Sequence, residues 1–236
     1  MRRAAVIAFA LGLSALSVYF WMNARTFQAF GSLVAHVQTR SPFVALTFDD
    51  GPSRESLKHL LPMLAAHGAH ATFFVEGRVL ERDLSLGREL IAAGHELGNH
   101  SYSHTRMVLK SQAFIAREVE RTDAAILAAG QRNPIFFRPP FGKKLLGLPW
   151  YLAAHGRTTI MWDIEPDSRA DLSEGASRLI EADARRARPG SIILLHVMQP
   201  SRSASLSAVP SILSSLGARG YRFVTVSELI ASGERR

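Results

Sequence analysis

The sequence contains no cysteine. That absence excludes a thiolate nucleophile, a cysteine-ligated zinc and any disulfide framework, and it permits an oxidising compartment without requiring one. Acidic residues are missing before Pro42, whereas four of the 28 basic residues, Arg2, Arg3, Arg25 and Arg40, lie there. The net charge of +8 is thus partly an amino-terminal excess, no run of five like charges occurs, and no nucleic-acid partner is expected. The one basic cluster, Arg185, Arg186 and Arg188, reads as the solvated end of a helix, where cations complement the dipole. Charged residues make up only 20% and hydrophobic ones 47% of the 236 residues, which excludes a disordered chain. The length suits one α/β barrel or two small domains.

What is present begins with an apolar run. Residues 4–22 carry no charge and are mostly apolar, with Arg2 and Arg3 before them and Asn23 and Arg25 after. As a helix this run reaches about 28 Å, close to a bilayer's hydrocarbon thickness. It ends in Tyr19, Phe20, Trp21 and Met22 rather than in a small-x-small cleavage site, so an uncleaved single-pass anchor is expected, with a cleaved export segment as the alternative. The boundaries expected are an anchor at 1–25, an amphipathic linker at 26–41 and a globular domain at 42–232.

Within the domain, short β-rich runs alternate with longer segments of helical period. Strands are expected at 43–48, 71–75, 96–99, 135–138, 158–162, 191–196 and 222–226, and helices at 54–67, 80–93, 111–129, 143–155, 172–188 and 205–218. Glycines 68, 94, 130, 156 and 220 stand where left-handed caps close helices. The strands are nearly continuous apolar runs, as in parallel strands buried on both faces, which means an open doubly wound sheet or a barrel. Polar residues then fall at strand carboxyl ends: Asp49 and Asp50, His100 and His104, Arg138, Asp163 and Glu165, and His196. In a barrel those ends converge on one mouth, which favours the closed form.

His100 and His104, four apart, would lie on one face of a helical turn and could share a cation. Alone that spacing is weak. Asp49 and Asp50 strengthen it, because adjacent carboxylates at a barrel mouth repel unless a metal neutralises one while the other serves as base; the plain alternative is a solvated turn. His95 reads as structural, and His59, His67, His70 and His155 as surface or cap residues. Trp150 and Tyr151 fit helix packing better than a sugar groove.

Four ordered stretches carry a resemblance: Thr47-Phe48-Asp49-Asp50-Gly51-Pro52, His100-Ser101-Tyr102-Ser103-His104, Arg138-Pro139-Pro140-Phe141-Gly142 and Leu194-Leu195-His196. Over residues 43–226 the chain resembles polysaccharide deacetylases of the NodB-homology type, carbohydrate esterase family 4. The resemblance implies a distorted (β/α)7 barrel, here preceded by the transmembrane helix. It implies Asp50, His100 and His104 as metal ligands, Asp49 as the base that deprotonates water, Arg138 as the cation that positions that base and holds it ionised, and His196 as the acid that protonates the leaving amine. It implies the Phe141 N–H as an oxyanion donor and Leu194 as an apolar wall for the acetyl methyl, with Pro140, Phe141 and Trp162 also facing substrate. The metal implied is divalent, Zn2+ first, with Co2+, Ni2+ or Mn2+ as alternatives.

One stretch departs from the family pattern. Where the family has Trp-x-x-Asp-Pro-x-Asp-Trp, this chain has Trp162-Asp163-Ile164-Glu165-Pro166-Asp167-Ser168-Arg169. Glu165 is then the expected partner of His196, with Asp167 as second choice, and the final tryptophan platform is missing. The function expected is a metal-dependent hydrolase that removes N-acetyl groups from an extracellular aminosugar polymer, peptidoglycan or a chitin-like glycan, from the extracytoplasmic side of the cell membrane. The alternatives are hydrolysis of O-acetyl esters or small cyclic amides, and a glycan-binding barrel without turnover.

Overall fold

A computed structural model describes residues 2–132, 134–167 and 175–234. In chain order the elements are α1 (Arg2–Asn23), β1 (Leu33–Val34), β2 (Phe43–Asp49), α2 (Arg54–Ala66), β3 (Ala71–Val75), α3 (Gly77–Leu80), α4 (Leu84–Ala92), β4 (Glu96–Asn99), α5 (Gln112–Ala129), α6 (Gly147–Ala154), β5 (Thr159–Ile160), α7 (Ala176–Ala184), β6 (Ile192–Leu195), α8 (Ser203–Ala218), β7 (Arg222–Phe223) and α9 (Val226–Ala231).

All named strand pairs are parallel, as helical crossovers require. β3 and β6 flank β2, and β4 lies beyond β3. From β4 the pairing continues through Phe137, which bridges both Asn99 and Thr159, and Ile164 then bridges Ile193 of β6. The pairings therefore form a ring that returns to β2. β7 adds to the amino-terminal end of β2, and β1 adds to β5. The stretch expected to be linker thus enters the domain: Ala35 and Val37 are buried, and the Val37 N–H donates to the Gly190 carbonyl at 2.9 Å.

The continuous apolar strands conceal a two-residue alternation, and that alternation aims the site. On β2, Val44, Leu46 and Phe48 face outward and pack with Leu57, Leu60 and Leu64 of α2. Ala45 faces inward with Phe74, Ile192 and Leu194. Asp49 shares the phase of Ala45 and Thr47, so it points into the ring at the carboxyl end. Each fully buried leucine or phenylalanine of the outer layer stabilises the fold by roughly 1.5–3 kcal/mol, which fixes the register and with it the aim of Asp49.

Several expected elements are shortened, each for a local reason. The run at 135–138 supplies only the Phe137 bridge, because Pro134, Pro139 and Pro140 lack the N–H that a ladder needs. The helix expected at 80–93 starts only at Leu84, as α4, where the Asp83 side chain caps the Ser85 N–H at 3.1 Å, and the separate turn α3 ends at Leu80. The last strand stops at Phe223 because Thr225 and Glu228 form a capping box that starts α9. All five glycines expected to cap helices have positive φ. The first turn of the helix expected at 172–188 lies outside the described residues.

The expected transmembrane anchor is not supported. Residues 2–23 are helical, yet no helix among the described residues is long and apolar enough to cross a membrane. The last turn of α1 instead rests on the domain: the Lys144 N–H donates to the Met22 carbonyl at 3.2 Å, and the Lys144 Nζ reaches the Ala24 carbonyl. The basic cluster after α7 is locally paired, Arg185 with Glu181 and Arg186 with Asp183, as a solvated helix end would be.

Candidate active site

The carboxyl ends of the strands enclose a cleft of about 390 Å3. Asp49, Asp50, His100, His104, Phe141, Trp162, Glu165, Leu194 and His196, all expected at the site, line it. Arg138 lies behind Asp49 and is fully buried. Pro140 is buried in its turn and is not part of the cleft wall.

Arg138 follows Phe137 in the alternation, so Phe137 packs outward with Ile115 and Leu148 while the guanidinium points inward. Its Nη1 donates to Asp49 Oδ1 at 2.6 Å and to Thr47 Oγ1 at 2.9 Å, and Nε and Nη2 donate to the carbonyls of Ile160 and Met161, both at 3.3 Å. The Phe74 ring lies 3.9 Å from its Cζ. Burial presses the guanidinium pKa downward, and the charge of Asp49 and its hydrogen bond oppose that. Asp49 is thereby held with one oxygen committed to Arg138 and the other 3.5 Å from His100 Nε2.

The two histidines do not sit on a helical turn as their spacing suggests. Residues 100–104 form a loop in which Ser101 and His104 have positive φ, 66° and 55°. Such a loop persists only if its surroundings hold it. Asn99 Oδ1 accepts the Ser101 N–H at 2.8 Å, and Asn99 is itself tied to Asp123 of α5, which Arg157 grips with both guanidinium ends. Glu118, buried on α5, accepts the Ser103 N–H at 2.8 Å. Nothing in the sequence spacing connects α5 to this loop, so Glu118 and Asp123 were not legible as supports.

Asp50, His100 and His104 offer three ligand atoms, all within 4.8 Å of one another. His104 Nε2 is 3.3 Å and His100 Nε2 3.8 Å from Asp50 Oδ1, a buried oxygen without a hydrogen-bond partner. The other oxygen, Oδ2, accepts from Gln199 Nε2 at 3.1 Å; no sequence signal marks Gln199 for this site. His100 Nδ1 lies 2.9 Å from the Arg138 carbonyl, which can only accept, so the imidazole presents an Nε2 lone pair to the cleft. Burial lowers its pKa to about 3 and keeps it neutral. Two imidazoles facing one carboxylate, whose near oxygen is buried and orphaned, fit a divalent cation.

The partner of His196 is Asp167, not Glu165. Asp167 Oδ1 faces His196 Nδ1 at 3.2 Å, and its Oδ2 accepts the His196 N–H at 2.6 Å and the Ser205 hydroxyl at 3.0 Å. Glu165 is turned away: its Oε2 accepts from Trp162 Nε1 at 2.9 Å and from Arg25 Nη2 at 2.5 Å. Residue type did not separate the two carboxylates, because the turn after Ile164 decides which one reaches under β6. The missing tryptophan platform, at residue 169, lies outside the described residues. Burial works against a charged His196, but the Asp167 hydrogen bond and the charges of Asp167, Asp49 and Asp50 prevail and push its pKa up to about 9. It is therefore protonated at neutral pH and able to donate. Asp167→Asn removes the largest of those supports, so the alkaline limb of the rate profile is expected to fall by about a pH unit or more and kcat to drop about a hundredfold. A pH–rate profile with an unmoved alkaline limb would refute this assignment.

The remaining sequence expectations resolve simply. Asp163 accepts the Ile192 N–H at 2.8 Å and latches the run after β5 to β6, outside the cleft. His95 is structural, its Nδ1 accepting the Ala71 N–H at 3.3 Å. Tyr151 packs in the core while Trp150 is half exposed, and neither lines the cleft.

Residues 36–160 match the family described as polysaccharide deacetylase. A peptidoglycan-N-acetylglucosamine deacetylase of Bacillus cereus is 30% identical over 200 residues, covering 85% of this chain and 93% of that one. A crystal structure of a peptidoglycan N-acetylglucosamine deacetylase with a bound N-hydroxybenzamide superposes with a TM-score of 0.78 at 25% identity, covering 86% of this chain and 95% of the other. A carbohydrate esterase family 4 pseudoenzyme from Bacillus anthracis gives 0.76 at 26% identity, covering 88% and 72%.

Proposed function

The chain belongs to the polysaccharide deacetylase family, and from that premise we propose that it removes N-acetyl groups from a cell-wall aminosugar polymer, peptidoglycan before a chitin-like glycan. We read the ring of strands as a distorted (β/α)7 barrel with residues 42–232, joined by the β1 stretch at 33–37, as the catalytic unit, acting on the extracytoplasmic side, where such a polymer lies. The observation that carries the reading is the pairing of two anchored groups across one cleft: Asp49 held by Arg138 on one wall, and His196 held by Asp167 on the other.

Asp50, His100 and His104 would hold the divalent cation. When bound, it supplies Lewis acidity that polarises the amide carbonyl and acidifies water. Asp49 takes the proton of the attacking water as the new carbon–oxygen bond forms. As the carbon–nitrogen bond breaks, His196 delivers its proton to the departing amine, and Asp167 compensates the imidazolium until then. Leu194 and the Trp162 ring give the acetyl methyl an apolar wall, and the Phe141 turn borders the place where oxyanion charge develops. An amide needs a protonated leaving group more than an ester does, which favours N- over O-deacetylation.

Mass spectrometry of N-acetylated peptidoglycan and chitin oligomers, acetyl esters and cyclic imides, each incubated with the metal-supplemented protein, tests the reading. Loss of acetyl from the oligomers is the expected result. Turnover of the esters or imides alone would reassign the substrate, and glycan binding without turnover would make the protein a binding module.

A further inference from the structure

Residues 19–25 precede the stretch that matches the family, yet Arg25 pairs with Glu165, which lines the cleft. Arg25 reaches Glu165 with its Nη2, 2.5 Å from Oε2, and its Cζ lies 5.0 Å from the centre of the Trp162 ring. The same Glu165 oxygen accepts from Trp162 Nε1 at 2.9 Å. Trp162 is clamped on another side by the Arg138 turn: a Cβ added at Gly142 would stand 2.9 Å from its Cη2. Its indole thus has one orientation, set by Glu165 at the nitrogen and by Arg25 over the ring. The segment carrying Arg25 is itself fixed, through the Lys144 N–H on the Met22 carbonyl, Lys144 Nζ on the Ala24 carbonyl and Lys143 Nζ on Asn23 Oδ1. Lys144 is 1% exposed, which is unusual for an amine whose only task is solvation.

We infer that Arg25 is a positioning residue for the substrate cleft, acting through Glu165 to hold the Trp162 wall against which the N-acetyl sugar rests. Its guanidinium lies over the Trp162 ring and gives that wall a cationic backing. A planar guanidinium over an indole is a rigid arrangement, and the shared carboxylate makes three side chains one unit. This rests on the deacetylase reading for its substrate and goes beyond it in assigning a specificity role to residues outside the family domain.

The test uses the full chain with Arg25→Ala, Glu165→Gln, the double variant and Arg25→Lys, measuring KM and kcat on an N-acetylated glycan oligomer, its equilibrium affinity, and Tm. A unit of this kind predicts that Arg25→Ala and Glu165→Gln each raise KM and the dissociation constant roughly three- to tenfold with kcat within about twofold, and that the double variant is no worse than either. Arg25→Lys recovers only part, since an ammonium does not stack as a guanidinium does. A lower Tm with unchanged KM and affinity would reduce Arg25 to a tether and overturn the inference, as would additive effects. Glycan binding without turnover in the wild type would end the deacetylase reading and leave Arg25 to be judged on affinity alone. A wild type that neither binds nor turns over would overturn both.

Discussion

Asp50→Asn or His104→Asn is expected to lower deacetylation by about a thousandfold or more and to abolish stoichiometric binding of a divalent metal, while leaving Tm near that of the wild type. The loss follows from the ligand set: three donor atoms within 4.8 Å are the minimum that holds the cation and leaves room for water and substrate. Asparagine is the better substitution here than alanine, because Asp50 and His104 both have positive φ, 69° and 55°. Alanine would add about 1 kcal/mol of backbone strain at either site and blur a functional loss with a structural one, whereas asparagine tolerates that region. The amide introduced by Asp50→Asn also has an oxygen that can keep the contact Gln199 makes with Asp50 Oδ2. Metal content by elemental analysis, melting and turnover on the same preparations check the prediction. Undiminished deacetylation by either variant would overturn the site.

Arg138→Met is expected to cost about 3–5 kcal/mol of stability, because it leaves the buried Asp49 carboxylate without the countercharge it is hydrogen-bonded to. For a chain of this size that corresponds to a Tm lower by roughly 10 °C. Turnover should fall about a hundredfold or more, since Asp49 loses the group that aims it. The geometry behind this is one-sided: Arg138 is 0% exposed, and its donors are spent on Asp49, Thr47 and two carbonyls. Adding Asp49→Asn to Arg138→Met removes the stranded charge, so the double variant should regain much of the stability and none of the activity. Recovery of Tm without recovery of turnover in that pair separates the ion pair's mechanical cost from its catalytic use. If Arg138→Met melts and turns over like the wild type, the proposed anchoring of the base is wrong.

The sequence was most informative where chemistry is carried by residue type. Asp49, Asp50, His100, His104, Arg138 and His196 could be assembled because each stands at the end of an apolar run, and the ends of parallel strands converge. It was least informative where distance along the chain hides proximity. The choice between Glu165 and Asp167 depends on one turn, and two acids two residues apart are indistinguishable until the direction of that turn is known. Glu118 and Asp123 lie on what reads as an ordinary amphipathic helix; only the packing of α5 against β4 turns them towards the histidine loop. Pattern also said little about how the amino terminus meets the domain. A long apolar run measures length and hydrophobicity, and neither reveals that lysines more than a hundred positions later dock its last turn.

The site is divided along the chain. Asp50, His100 and His104 follow β2 and β4, in the first half of the chain, whereas Asp167, His196 and Ser205 lie around β6, in the second. A duplicated gene could therefore lose its proton donor by a change at His196 or Asp167 alone and still keep its cation ligands. The descendant would be a lectin, recognising the same polymer that its parent altered, with no change in the half of the fold that holds the ion.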